Sequence, residues 1–330
     1  MCPMGRRSSP HTSLRCVLGR IFIELFIISM NEPKSPKRID EQIAILKRHG
    51  CIIQNKSFTE EILSKVNYYR LSAYFLPFKD KNGMYLSGTT FERIFHVYEF
   101  DREFRSLLFR AIECIEVALR TRLSYMHAIK YGACGYLNKE NFNSHHKEGI
   151  FEKKKQSIIL HHGKNPVVIH HEEKYSGQFP IWVIIEFFTF GDLSFFYKDL
   201  LTEDKKEIAR KQYHIIPSIL ESWLRCCTDL RNICAHGGRL YYRNFSAKPS
   251  DFKKEKSLFS RSLWALILVI KWLYPFPEQW EKDFIPQMET LMNKYSNDID
   301  LKHLCFPPNW KEELKKSQKS SLESWLRLKP

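Results

Sequence analysis

The chain has 330 residues, a formal charge of +15 and a sequence pI near 9.3. Hydrophobic residues at 43% and aromatic residues at 14% exclude a disordered chain and are enough for a sizeable core in one or two domains. The basic excess points to a polyanionic partner, nucleic acid first, and nine cysteines without a C-x-x-C pair read as reduced thiols in a cytoplasmic protein, not a disulfide framework.

Residues 1–29 read as an upstream extension or a disordered lead. Val17 to Met30 is apolar, but Arg20 and Glu24 interrupt it. It lacks the small-residue cleavage site of a signal peptide and is too short to span a bilayer. Met30 opens an ordinary cytosolic N-terminus, so translation is expected to start there. A short amphipathic helix is expected over 38–49, closed by Gly50. Ser57-Phe-Thr-Glu60 has the pattern of a capping box and opens a second helix through Val66. Tyr68, Tyr69, Tyr74 and Phe75 follow as core aromatics, with base stacking as the other reading. Lys79 to Gly83 reads as a turn or small hairpin.

A second capping box, Thr89-Thr-Phe-Glu92, opens a long helix to about Tyr131. Leu107, Leu108, Ala111, Ile112, Ile115, Ala118, Leu119 and Leu123 follow its 3.6-residue spacing. Glu116 and Arg120, four apart, are either a solvated ion pair or supports at the edge of a cleft. Residues 138–177 read as a polar, mobile, basic insertion that meets RNA or closes over it, with Lys153, Lys154 and Lys155 as RNA contacts. Its three adjacent histidine pairs point in different directions on a regular element and do not complete a metal site.

Pro180 to Phe188 is expected as a buried helix, Gly191 starts the next, and Pro217 opens the one that carries the chemistry. An apolar helix over 256–274 and another over 278–294 follow. Residues 296–330 read as a basic tail.

The helix from Pro217 has a buried stripe of Trp223, Cys226, Cys227, Leu230, Ile233 and Cys234, while Arg225, Asp229, Asn232 and His236 share the opposite arc. Arg231 lies at the edge, and Gly237-Gly238 ends the helix. Arginine is a permanent cation whose fork fits phosphate oxygens, and histidine gives or takes a proton near neutral pH. RNA carries its own nucleophile in the 2′-hydroxyl. Such a pair can cut RNA without a metal. It can also be a solvated helix face with a histidine near the dipole's negative end. No Gly-rich phosphate loop or metal-ligand spacing is found, so neither cofactor nor metal enters the expectation.

Leu230-Arg-Asn-Ile-Cys-Ala-His-Gly-Gly-Arg-Leu-Tyr-Tyr-Arg243 resembles the R-N-x-x-x-H signature of the HEPN superfamily. More narrowly, the chain resembles the bacterial Abi-like abortive-infection proteins. Four further stretches carry the likeness: Ile39 to Gly50, Asn67 to Tyr74, Ile115 to Thr121, and Pro180 to Trp182 with Gly191 to Ser194. The resemblance implies an all-α HEPN-like helical bundle over 30–295, with N-terminal helices at 36–80 and a core at 89–275. It implies a metal-independent endoribonuclease toxin in phage defence, leaving 2′,3′-cyclic phosphate and 5′-hydroxyl ends. Arg231, Asn232 and His236 are then catalytic, Glu116 and Arg120 supporting, and Arg239 and Arg243 RNA contacts. The implied partners are RNA, a second copy in a homodimer and an RNA or protein antitoxin, with no membrane. The alternatives are a non-catalytic module that grips a structured small RNA, and a protein-binding adaptor.

Overall fold

The computed structural model describes residues 35–252 and 259–317. The expectations for 1–29, the start at Met30, residues 256–258 and the chain after 317 lie outside those residues.

The spine is one helix. Phe91–Tyr131 forms 41 continuous residues, about 60 Å at 1.5 Å per residue. Its buried positions, among them Phe91, Ile94, Val97, Phe104, Leu108, Ile112, Ile115, Leu119 and Leu123, recur every three or four residues. Three short helices precede it: α1 (Ile39–Arg48), α2 (Lys56–Lys65) and α3 (Tyr68–Phe75), making the spine α4. After it come α5 (Ile150–His162), α6 (Pro166–Tyr175), α7 (Ile181–Ile184), α8 (Phe190–Asp199), α9 (Thr202–Tyr213) and α10 (Pro217–Ala235). The last three are α11 (Leu263–Leu273), α12 (Ile285–Lys294) and α13 (Trp310–Lys315).

Helix α10 packs on α4, α8, α9 and α11, while α3, α7 and α12 lie against other parts of the spine. The fold is all-α: among the described residues there is no strand, and only isolated bridges pair Ile52 with Thr90, Lys79 with Tyr85 and Phe142 with Leu200. Helix α11 is apolar on almost every side and is correspondingly enclosed. Among the described residues no helix is long and apolar enough to cross a membrane.

Local chemistry moves several expected boundaries. The cap of α2 is Asn55, whose side-chain Oδ1 accepts from the Phe58 N–H at 3.0 Å, not Ser57. The cap of α4 is Thr90, and the Glu92 carboxylate instead accepts from the Asn55 N–H at 2.9 Å, tying the start of α2 to the spine. The helix expected over 180–188 is one turn, α7, followed by a 3₁₀ turn over Ile185–Phe187. Trp280–Phe284 is a π-helical stretch ahead of α12.

Two larger readings change. The insertion over 138–177 contains α5 and α6, and it buries Phe142, His146, Ile158, Val168 and His171. His146 stacks on Phe142 with ring centroids 4.3 Å apart and pairs with Asp199 at 2.9 Å. No group of three potential metal ligands occurs among the described residues. The stretch from 296, read as a tail from its lysines and serines, is packed through α13. Leu304, Phe306, Trp310 and Leu314 are buried there, and the Trp280 indole donates to the Leu314 carbonyl at 3.3 Å. Four well-spaced apolar anchors outweigh a polar average, because burial depends on which residues reach the core.

Candidate functional site

The site is built at the C-terminal end of α10. Trp223, Cys226, Cys227, Leu230 and Cys234 are buried and Ile233 is half-buried, so the apolar stripe fixes the rotation of the helix. Burial pushes the Cys226 and Cys234 thiols up to about 12, which leaves them as core hydrophobes instead of nucleophiles. The helix ends in a Schellman turn: Gly238 N–H donates to the Ile233 carbonyl at 2.7 Å and Gly237 N–H to that of Cys234 at 3.2 Å. Gly237 takes φ +65°, and a Cβ there would lie 2.6 Å from Arg70 Nη2. That guanidinium donates to the Gly237 carbonyl at 2.6 Å.

The chain beyond the turn is held by a buried carboxylate. Asp101, fully enclosed on α4, accepts from the backbone N–H groups of Leu240 at 3.0 Å and Tyr241 at 2.7 Å. It also accepts from the Tyr74 hydroxyl at 2.6 Å and from Arg105, which reaches on to the Gly238 carbonyl at 3.3 Å. Burial pushes the Asp101 carboxyl up while Arg105 and the donors pull it down. The sequence does not mark Asp101, Arg105 or Arg70 as site residues, and it marks Tyr74 as a core or stacking aromatic, not as a donor to Asp101. The signal was a charged i, i+4 pair inside the apolar run from Phe100 to Leu108.

Glu116, Arg120 and Arg231 come together. Arg120 donates to Glu116 at 2.8 Å and to the carbonyls of Ile185 at 3.0 Å and Phe188 at 2.9 Å. These bonds tie the spine to the chain after α7, and the pair is largely shielded from solvent. The other Glu116 oxygen lies 3.7 Å from Arg231 Nε, and the Arg231 guanidinium sits 5.5 Å from the Phe109 ring centroid. Arg231 Nε is enclosed without a hydrogen-bond partner.

His236 is the C-cap of α10, and both His236 and Asn232 are exposed with no side-chain hydrogen bond to any described residue. Five helical residues separate Arg231 from His236, so the two leave the helix about 140° apart. Arg239 donates to the Ala73 carbonyl, anchoring the chain beyond the turn to α3. Arg243 is exposed and donates to the Arg239 carbonyl at 3.2 Å. Lys153 is exposed, whereas Lys154 bonds Asp192 at 2.7 Å and Lys155 pairs with Glu152 at 3.0 Å.

These elements lie within one stretch of chain that has a recognisable family pattern. A family model described as Abi-like protein matches residues 61–242, more than half of the chain, from α2 to just past the Schellman turn. The chain belongs to the Abi-like protein family. The match includes Tyr74, Asp101, Glu116, Arg120 and the whole of α10, so the clamp and the motif helix of this Abi-like protein lie inside the family region. Membership suggests a part in abortive infection, a form of defence against phage. No curated protein and no solved structure matches the chain.

Proposed function

We propose that this Abi-like protein is a metal-independent endoribonuclease of HEPN type that acts as a toxin in anti-phage defence. The observation that carries the reading is the unbonded, exposed His236 at a rigidly capped helix end, with Asn232 one turn before it and Arg231 held by Glu116. In the reaction the 2′-oxygen attacks the adjacent phosphorus and the bond to the 5′-oxygen breaks. His236 moves the proton, as general base for the 2′-hydroxyl or general acid for the leaving oxygen. Arg231 steadies the phosphate as charge builds on it, and Asn232 orients the imidazole or the phosphate. The ends are a 2′,3′-cyclic phosphate and a 5′-hydroxyl. Because Arg231 and His236 leave α10 on different sides, a twofold dimer can complete each cleft with groups from both chains.

The test is single-turnover cleavage of a mixed RNA pool at saturating protein with EDTA present. His236→Ala is expected to lose at least about 10²-fold in rate, with affinity little changed. Mixing Arg231→Ala with His236→Ala chains should restore part of the activity. Equal rates for wild type and His236→Ala, or loss of cleavage in EDTA, overturn the catalytic reading. The non-catalytic module that grips a small RNA would then take its place, a reading favoured by the Glu116 pairing that already occupies Arg231.

A further inference from the structure

The polar face of α10 does not stop at Asn232. Residues seven and eleven apart return to one side of a helix, so Arg225 lies in line with Asn232 and His236. The Arg225-to-His236 distance along the axis is roughly 16 Å at 1.5 Å per residue. Around Arg225 the helix floors a cleft of about 840 Å³ against α8, with Phe195, Lys198, Asp229, Lys248 and Arg261 on its walls. That volume lies in the range of small-molecule sites.

The charge in this cleft is unbalanced. Lys198, Arg225 and Arg261 are exposed and form no ion pair with any described residue. Of the two carboxylates on the walls, Glu221 is paired with Lys205 at 3.3 Å and Asp229 accepts from the Ser246 hydroxyl at 3.3 Å. Phe195 is 65% exposed on α8 although Phe196 and Tyr197 beside it are buried. Lys198 Nζ lies 6.0 Å from the Phe195 ring centroid, at the edge of cation–π range. A solvent-facing aromatic ring set among unpaired cations is the arrangement that binds a single strand, with the base on the ring and the phosphates on the cations.

We infer that this cleft is a subsite for single-stranded RNA, stacking one base on Phe195 and holding the flanking phosphates with Lys198, Arg225 and Arg261. The inference deepens the RNA reading of α10 and rests on it. The cleft would fix which nucleotides lie beside the bond that His236 faces. A duplex is a poor ligand here, because its bases are already stacked on one another.

The test uses the full chain carrying His236→Ala, so that a fluorescent single-stranded RNA 12-mer of mixed sequence stays intact, with duplex RNA as comparison. Phe195→Ala is expected to weaken single-strand binding at least about fivefold, the low end for one stacked base. Phe195→Trp should bind as before, and Phe195→Leu should fail like alanine. Arg225→Gln should reduce the slope of log affinity against log salt by about one phosphate contact. Phe276→Ala, an exposed aromatic change outside the cleft, is the control. Unchanged affinity in Phe195→Ala together with an unchanged salt slope in Arg225→Gln overturns the subsite. So does a Phe195→Ala chain that changes sedimentation but binds RNA as before, which would make this face a contact between proteins. The catalytic reading fails separately, on wild-type and His236→Ala cleavage. A chain that binds through Phe195 but never cuts keeps the subsite and loses the ribonuclease.

Discussion

His127 is buried on α4 with both ring nitrogens unpaired, packed between Tyr131 at 4.9 Å, Phe196 at 5.3 Å and Phe142 at 5.4 Å. Burial pulls it down to about 4; the Asp204 carboxylate opposes and Lys130 reinforces the shift. An imidazole that is neutral when folded but takes a proton when unfolded makes the unfolded state bind more protons between about pH 6.5 and pH 4. Stability from this residue is therefore full above pH 6.5 and lost as pH falls toward 4. By pH 5 the loss should be about 2 kcal/mol. Urea unfolding at pH 7 and pH 5 measures it, with His127→Leu as the comparison. If the leucine variant loses as much stability on acidification as wild type, His127 is not the source.

At the scale of elements, the join between α3, α4 and the chain after α10 depends on Asp101. Removing the carboxylate leaves the Arg105 guanidinium buried without its partner and strands the N–H groups of Leu240 and Tyr241. Breaking a buried pair on one side costs about 3–5 kcal/mol. Asp101→Ala should therefore lose that much in denaturant unfolding. It should also speed hydrogen exchange at Leu240 and Tyr241, which a change confined to the core would not do. Normal protection at those two amides would mean that the turn after α10 is held by something else.

For the whole molecule, the ends of the domain are testable together. We propose a body that begins at Met30 or later, since the helix-start signals and the motif residues all lie beyond Met30. A chain starting at Met30 should keep its thermal midpoint to within about 4 °C. A chain ending at residue 295 should not. It loses Leu304, Phe306, Trp310 and Leu314, all buried, at roughly 1.5–3 kcal/mol for each large apolar side chain. That sum rivals the 5–15 kcal/mol that separates most folded domains from unfolding. Scanning calorimetry of both truncated chains decides the matter, and a stable chain ending at 295 would show that the C-terminal layer is an accessory.

The sequence by itself determined the features that depend on neighbours along the chain. Helical period placed α4 and the buried stripe of α10, Gly237 marked the stop, and the order of the motifs named the family later matched over 61–242. Tertiary structure decided whatever depends on a partner distant in sequence. Glu116 and Arg120 are four apart, and sequence alone allowed a solvated pair; the carbonyls of Ile185 and Phe188 and the approach of Arg231 make it an internal tie. Arg239 is in the motif, but its bond to Ala73 depends on where α3 lands. Capping boxes at Ser57 and Thr89 were displaced because the helices start at other residues, where Asn55 accepts from the Phe58 N–H and Thr90 from the Arg93 N–H, and Glu92 found a donor on another element. The packing of Leu304, Phe306, Trp310 and Leu314 was hidden for a similar reason: composition averages over residues, whereas burial is decided by the few side chains that a distant surface can receive.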